Sequence, residues 1–404
     1  MSKLDGGGIY RSVLTRNVLL LVACQVINIS GTVTMVTLGG ILGAVLAENQ
    51  ALATLPMSLM IVGTAGATIP ASYLMSRVGR RAGFMVGAGF GVCSAMLAAA
   101  GIWLGSFELL CVAATTLGAK LGFSAQYRFG AAESVPPAAA SLAISMVLVG
   151  SLAGAIVGPT LALGARNWID GAEHAGTFFA LAGLYIGEVV FLSRLRFAVP
   201  GLRAEASERT GLRSVIRNRV FLIAVLGGVV GQGTMTFIMT ATPLSMHVID
   251  GLSLADTALV IQSHVIAMYA PSLVSGFLVM WLGAPRMMAT GTVVISLTIV
   301  VGLAGHEFLH YWGALSVLGL GWNLLFVGST TLLIGSLSDA VRFKAQAANE
   351  FSVFGVSAVA SLSAGAIVHY LGWNTVLLSV LPVLVMMLAA IAMLPRQRVA
   401  TASV

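Results

Sequence analysis

Charge is what this chain has least of. Asp, Glu, Lys and Arg together make up 9% of its 404 residues, against roughly 25% in a soluble domain. That is too little polar surface to keep a folded globule of this size in water, so lipid has to be its solvent. Cysteine is almost absent as well. Cys24, Cys93 and Cys111 each lie inside an apolar run, where they read as small buried hydrophobes, and no disulfide or metal framework follows. Long polar stretches are missing except for one, residues 194–219. No cleavable leader is expected, because the first apolar run is far too long for the apolar part of a signal peptide.

What remains is apolar: 58% of residues are hydrophobic, and the mean hydropathy is +0.98. A bilayer core about 30 Å thick takes about 20 apolar residues per helix. On that ruler the sequence predicts twelve spans, at 18–46, 52–75, 84–104, 108–130, 138–163, 175–193, 220–245, 256–281, 287–305, 311–335, 347–370 and 375–394. They are numbered 1 to 12 below.

Charge placement supports the count. With both termini in the cytoplasm, 19 of the 21 Lys and Arg fall in cytoplasmic segments or at inner span ends, Lys120 and Arg166 being the exceptions. Seven of the 14 acids (Glu48, Glu108, Asp170, Glu173, Asp250, Asp256, Glu307) fall outside. This is the positive-inside asymmetry, so the net charge of +7 is topological and calls for no nucleic acid. The linker 194–219 holds seven arginines against Glu205 and Glu208, and predicts a cytoplasmic strap with a short interfacial helix on anionic headgroups.

Between spans 2 and 3 runs Ser72-Tyr73-Leu74-Met75-Ser76-Arg77-Val78-Gly79-Arg80-Arg81. The arginines anchor this turn in the cytoplasm, and Gly79 permits the reversal. The stretch resembles the loop motif G-x-L-x-D-R-x-G-R-R/K of the major facilitator superfamily, with Ser72 in place of its Gly and Ser76 in place of its Asp. In that family the Asp latches the outward-facing state, so the resemblance implies a latch that is weaker or differently made here. A degenerate copy ends at Gly283, and the offset of 204 carries Asn28 onto Gln232, Ser30 onto Thr234 and Thr32 onto Thr236. Such a parallel repeat suits two six-helix halves about a cavity. Span 5 carries Gly150-Ser151-Leu152-Ala153-Gly154-Ala155-Ile156-Val157-Gly158-Pro159, whose glycines four apart form a smooth packing face that Pro159 is expected to kink. It is similar to the G-x-x-x-G-P motif of proton antiporters in the superfamily.

The resemblance implies an all-α polytopic membrane protein of the twelve-helix facilitator fold. Its N-terminal bundle would be residues 1–193, the linker 194–219 and the C-terminal bundle 220–404. The two bundles would rock about a central site, with no covalent chemistry and no cofactor. Polar groups deep in lipid are costly and face a cavity or a partner. Lys120, at the middle of span 4, has no carboxylate at its depth and is expected to meet an anionic or electron-rich solute. Trp322 and Asn323 at mid-depth in span 10 suit a flat solute; Gln25 and Asn28 in span 1, Gln232 in span 7 and His264 in span 8 complete the candidate substrate-binding set. Glu188, the one acid well inside a span, is the candidate for proton coupling. The expected gating set is Arg77, Gly79, Arg80, Arg128, Glu133, Gly154, Gly158, Pro159, Asp339 and Arg342, with salt bridges between the inner ends of spans 4 and 11.

His306-Glu307-Phe308-Leu309-His310 spells H-E-x-x-H, a zinc-protease string. It occupies a short outer loop with no third ligand, so a metal site is not expected. The run Tyr127–Glu133 with the Gly-Pro span also resembles a bacterial branch of the superfamily associated with uptake of vitamins such as riboflavin. Uptake of a small organic solute across a bacterial inner membrane by a monomer is therefore the leading expectation. Proton-coupled export of drugs or metabolites is the alternative, and a membrane zinc protease built on the H-E-x-x-H string a remote one.

Overall fold

The computed structural model describes residues 13–48, 52, 55–197, 218–337 and 341–394. The predicted strap helix in the linker and the gating candidate Asp339 lie outside the described residues. Helices account for the chain in this order: α1 (Arg16–Leu46), α2 (Leu55–Leu104), α3 (Phe107–Ser124), α4 (Tyr127–Glu133), α5 (Ala140–Gly164), α6 (Ala175–Ser193), α7 (Arg219–Pro243), α8 (Leu254–Tyr269), α9 (Ser272–Leu282), α10 (Ala284–Leu303), α11 (Phe308–Gly335), α12 (Arg342–Ser379) and α13 (Leu381–Ala392). Side-chain oxygens of Thr15, Ser106, Asn218 and Ser253 cap α1, α3, α7 and α8 by accepting from backbone N–H groups two or three residues ahead.

Among the described residues nine helical stretches are long and apolar enough to cross a bilayer, and the pair α8–α9, bent by 41°, makes a tenth. Two of these, α2 at 50 residues and α12–α13 at 51, are twice the length a bilayer needs. Each breaks at a glycine with positive φ: Gly79 (φ 84, ψ 163) and Gly372 (φ 78, ψ 170). Only glycine holds that geometry without strain. Counting each as a pair of spans gives the twelve. Gly283, the repeat partner of Gly79, takes nearly the same shape (φ 81, ψ 151), so the degenerate motif turns the chain as the full one does.

Lipid supplies no hydrophobic drive for helices to associate, so close backbone approach has to do it. A Cβ placed on Gly150, Gly154 or Gly158 would lie 2.8, 2.6 or 2.7 Å from the carbonyl oxygens of Val22, Val26 and Ser30. The glycine ladder of span 5 thus climbs span 1 turn for turn. Thr34 Oγ1 donates to the Gly158 carbonyl at 3.2 Å across the same contact. The helix continues past residue 159 to Gly164. Spans 5 and 8 meet through Ser141 Oγ donating to the Gly276 carbonyl (3.1 Å) and through Ser145 with Ser275 (3.2 Å). Spans 2 and 11 meet through Ser72 Oγ donating to the Phe343 carbonyl at 2.7 Å.

Candidate functional site

Between the halves lies a cavity of about 260 Å³, near the lower edge of the roughly 300–1,000 Å³ typical of small-molecule sites. Span 1 lines it with Gln25, Asn28, Ile29 and Thr32, and span 7 with Gln232, Met235 and Thr236. The repeat-related pairs Asn28/Gln232 and Thr32/Thr236 therefore share one chamber. Span 10 adds Trp322 and Phe326, span 8 adds Tyr269, and the floor is Arg128 with Glu350.

The aromatic wall is ordered. Trp322 stacks on Phe326 at 4.6 Å and 17°, and Tyr269 meets Trp322 edge-on at 5.9 Å. The Arg128 guanidinium covers the other part of the stack, 4.3 Å from the Phe326 centroid. Trp322 Nε1 donates to Gln232 Oε1 at 2.9 Å. On span 1, Asn28 Oδ1 accepts from Lys120 Nζ (2.6 Å) and from Ser124 Oγ (2.8 Å), and Gln25 Nε2 donates to Ser151 Oγ (2.9 Å).

Three candidates do not line this chamber. Lys120 is fully buried, and it does have a carboxylate: its Nζ is 3.4 Å from Glu188 Oε2. The expectation of an unpartnered cavity lysine is corrected by two features. Lysine carries its charge several methylenes from its Cα, so the depth of the residue does not fix the depth of the ammonium. Gly91 of span 3 also leaves a groove, where an added Cβ would sit 3.0 Å from the Lys120 stem. Through that groove the side chain runs toward span 6, passing 4.8 Å from the centre of the Tyr185 ring. Glu188 is held in turn by Tyr127 Oη at 2.8 Å. It is sealed inside the N-terminal half, away from the chamber.

His264 and Asn323 are likewise fully buried, outside the cavity lining. The His264 Nδ1 contacts the Leu315 carbonyl at 2.8 Å, while Asn323 Nδ2 donates to Met268 O and Ser272 Oγ at 2.7 and 2.6 Å. These bonds tie span 10 to span 8.

Below the cavity the halves are locked. Arg128 Nη2 donates to Glu350 Oε1 at 2.5 Å, and Asn349 Nδ2 donates to the same oxygen at 2.7 Å. One layer further toward the loop motif, Arg80 grips Glu133 with both Nε (3.1 Å) and Nη2 (2.7 Å). It also donates to Gln126 Oε1 from the same half and to Gln346 Oε1 from the other, both at 2.5 Å. Arg342 Nε stands 3.9 Å from Glu133 Oε1. Buried, bidentate arginine pairs of this kind are the strong class of ion pair. Around the loop motif the contacts between the halves are made by Arg80, held by Glu133, with Gln346, and by Ser72 with the Phe343 carbonyl, while the Ser76 hydroxyl donates to Tyr73 O. Arg77 is corrected out of the gating set, since its guanidinium is exposed, lies 5.4 Å from the Tyr73 centroid and makes no ion pair among the described residues. Gln126, Gln346, Phe326 and Tyr269 were missed from sequence. Only Gln346 left a signal, lying one turn before Glu350 on the same face. A larger cleft of about 460 Å³ lies beyond the lock, walled by Arg80, Arg81, Arg196 and Arg342, outside the chamber between the halves.

The H-E-x-x-H string is a helix start. Glu307 caps α11, its side chain receiving the His310 N–H while the His310 ring accepts from the Glu307 N–H at 3.3 Å. His306 precedes the helix and contacts Asp250 Oδ2 at 3.0 Å, so the two histidines do not share a metal-binding face. Among the described residues no cluster of three metal-ligating side chains occurs.

Comparison with known proteins follows the same lines. No family model matches the chain. The riboflavin transporter RfnT of Brucella anthropi is 38% identical over 379 residues, covering 92% of this chain and 94% of that protein. The uncharacterized MFS-type transporter YdeG of Bacillus subtilis is 30% identical, covering 83% of this chain and 82% of its own. Among solved structures, the facilitator FucP in its outward conformation superposes with a TM-score of 0.78 at 14% identity, covering 95% of this chain and 99% of that one. A bacterial homologue of the iron transporter ferroportin, in an outward-facing state, gives 0.70 at 14%, covering 94% and 99%. With twelve apolar spans, paired loop motifs and a chamber between two locked halves, the chain belongs to the major facilitator superfamily and is a multi-pass bacterial membrane transporter of a small solute.

Proposed function

We propose that this transporter takes up a flat, aromatic, vitamin-like solute of the riboflavin type across the bacterial inner membrane. The observation that carries the reading is the 38% identity, over 92% of the chain, to a protein named as a riboflavin transporter. The Trp322–Phe326 stack on the cavity wall supports it, because a ring system gains about 1–3 kcal/mol by stacking on an aromatic side chain.

In this reading residues 1–193 and 220–404 are the two moving halves, joined by the linker 194–219, and the loop-motif end faces the cytoplasm. The solute enters from the opposite side while the Arg80 and Arg128 pairs hold the inner side shut. Because Arg128 lies on Phe326, and Phe326 on Trp322, a solute stacked at Trp322 bears on the lock from above. Release of the Arg128–Glu350 and Arg80–Glu133–Gln346 contacts then opens the chamber inward. The carrier works as a monomer and makes no covalent bond. The glycine ladder that resembles the antiporter motif packs span 5 on span 1, a role that suits uptake as well as export.

The test is uptake of radiolabelled riboflavin by proteoliposomes of the purified protein. Saturable uptake is expected, with KM raised about tenfold or more by Trp322→Ala, as the loss of one stacking partner implies. No uptake above empty liposomes, with intact monodisperse protein, refutes the substrate. Reporter fusions at Arg80 and His306 should fall on opposite sides of the membrane, Arg80 inside; finding both on one side refutes the topology.

A further inference from the structure

The chamber offers a stacked wall and three amide side chains, and the chemistry of the amides can be read one by one. A side-chain amide has one accepting oxygen and one donating nitrogen, so committing one end defines the other. An indole N–H can only donate, so the bond from Trp322 Nε1 fixes the Gln232 oxygen toward Trp322. An ammonium can only donate, so Lys120 fixes the Asn28 oxygen away from the chamber. Gln25 spends its nitrogen on Ser151 Oγ. The remaining atoms are Asn28 Nδ2, Gln232 Nε2 and Gln25 Oε1. None of the three has a partner among the described residues, and none is sealed from contact. Asn28 and Gln25 are 5% and 8% exposed, and all three residues line the cavity. Among the described residues of the lining the charged groups are Arg128 and Glu350, and they are bonded to each other.

We propose that the chamber selects flat, uncharged heterocycles bearing a cyclic imide: Asn28 and Gln232 donate to its two carbonyls, and Gln25 accepts from the N–H between them. This rests on the reading of the protein as a carrier of a riboflavin-like solute and names the part of that solute the walls recognise. Two donors and one acceptor complement an imide, which has two acceptors about one donor. Donors left unpaired once a solute has displaced water from them are costly, so a ring without those acceptors is rejected more strongly than one missing an apolar group. Lys120 contributes at one remove, as the positioning residue that sets which end of Asn28 faces the solute.

The test measures equilibrium binding of riboflavin to the purified protein in detergent, by quenching of riboflavin fluorescence. It is repeated with N3-methylriboflavin, which keeps the rings and loses the imide N–H. The Gln232→Glu variant keeps the oxygen that Trp322 needs and replaces the donor by an acceptor. N3-methylriboflavin is expected to bind at least tenfold more weakly than riboflavin, and Gln232→Glu to lose at least tenfold in riboflavin affinity at an unchanged melting temperature. Equal affinity for the methylated compound, or unchanged affinity in the folded variant, overturns the proposal while leaving the carrier reading intact. If Gln232→Glu fails to fold, the comparison of the two compounds on the unaltered protein decides the matter. Absence of any riboflavin binding to the unaltered protein overturns the carrier reading and this proposal with it.

Discussion

Lys120→Met is expected to destabilise this transporter, and Glu188→Leu added to it to restore most of the loss. The two charges are 3.4 Å apart and their side chains are 1% and 0% exposed. At an effective dielectric of about 20 their attraction is about 5 kcal/mol. That agrees in size with the roughly 3–5 kcal/mol typically lost when one partner of a buried pair is removed. The loss arises from what is left behind. With Met at 120, Glu188 keeps its bond from Tyr127 but faces no cation, and Asn28 keeps Ser124 but loses the ammonium. Met fills the groove past Gly91 about as well as the lysine stem, so packing is largely conserved. Removing both charges leaves no uncompensated ion, and such swaps are often neutral. The assay is thermal melting of Lys120→Met, Glu188→Leu and the double variant in one detergent. On an unfolding entropy of roughly 2 cal/mol/K per residue, a loss of about 4 kcal/mol lowers Tm by about 5 °C. The double variant should return to within about 2 °C of the parent by the same conversion. Single variants that melt like the parent, or a double variant at the sum of the two losses, would refute the reasoning. The first result would mean the pair carries no net coupling, the second that the two residues act independently.

Glu350→Gln should loosen the lock under the cavity, since it leaves Arg128 buried against a neutral amide; a cysteine at Ser141, shut in the contact between spans 5 and 8, should then react with a maleimide severalfold faster, and an unchanged rate would count against the lock. Gly154→Val puts a branched side chain 2.6 Å from the Val26 carbonyl and should cost about 1–3 kcal/mol, read as a lower melting temperature. Gly183→Ala, with nothing within 4 Å of the added carbon, should not lower it, and equal effects of the two would deny the glycine ladder its packing role. Replacing His306 and His310 together by Ala should leave transport and metal content unchanged, at the cost of one helix cap; a zinc ion lost on replacement would show a metal site after all.

Much of the architecture is a property of the chain itself. Span length is set by bilayer thickness, and a turn that must take positive φ has to be glycine, so twelve spans and the reversals at Gly79 and Gly283 can be read from residue type and spacing. The repeat offset that paired Asn28 with Gln232 is likewise sequence arithmetic, and both residues line the chamber. Which way the remaining polar residues face is different. Span 1 marks its cavity side with Gln25, Asn28 and Thr32 at helical spacing, but spans 5 and 10 carry almost no amphipathic stripe to mark theirs. His264 and Asn323 sit at mid-depth yet turn toward neighbouring backbone, and Lys120 turns into its own half because Gly91 opens a groove there. Ser76 marks a departure from the loop motif, but the contacts Arg80 makes beside it draw Gln126 from span 4 and Gln346 from span 11, residues 220 apart in sequence. Contacts of that kind depend on how two bundles are rotated against each other. That rotation is decided by tertiary packing, where a glycine ladder or a groove one methyl wide chooses the face that one helix presents to the next.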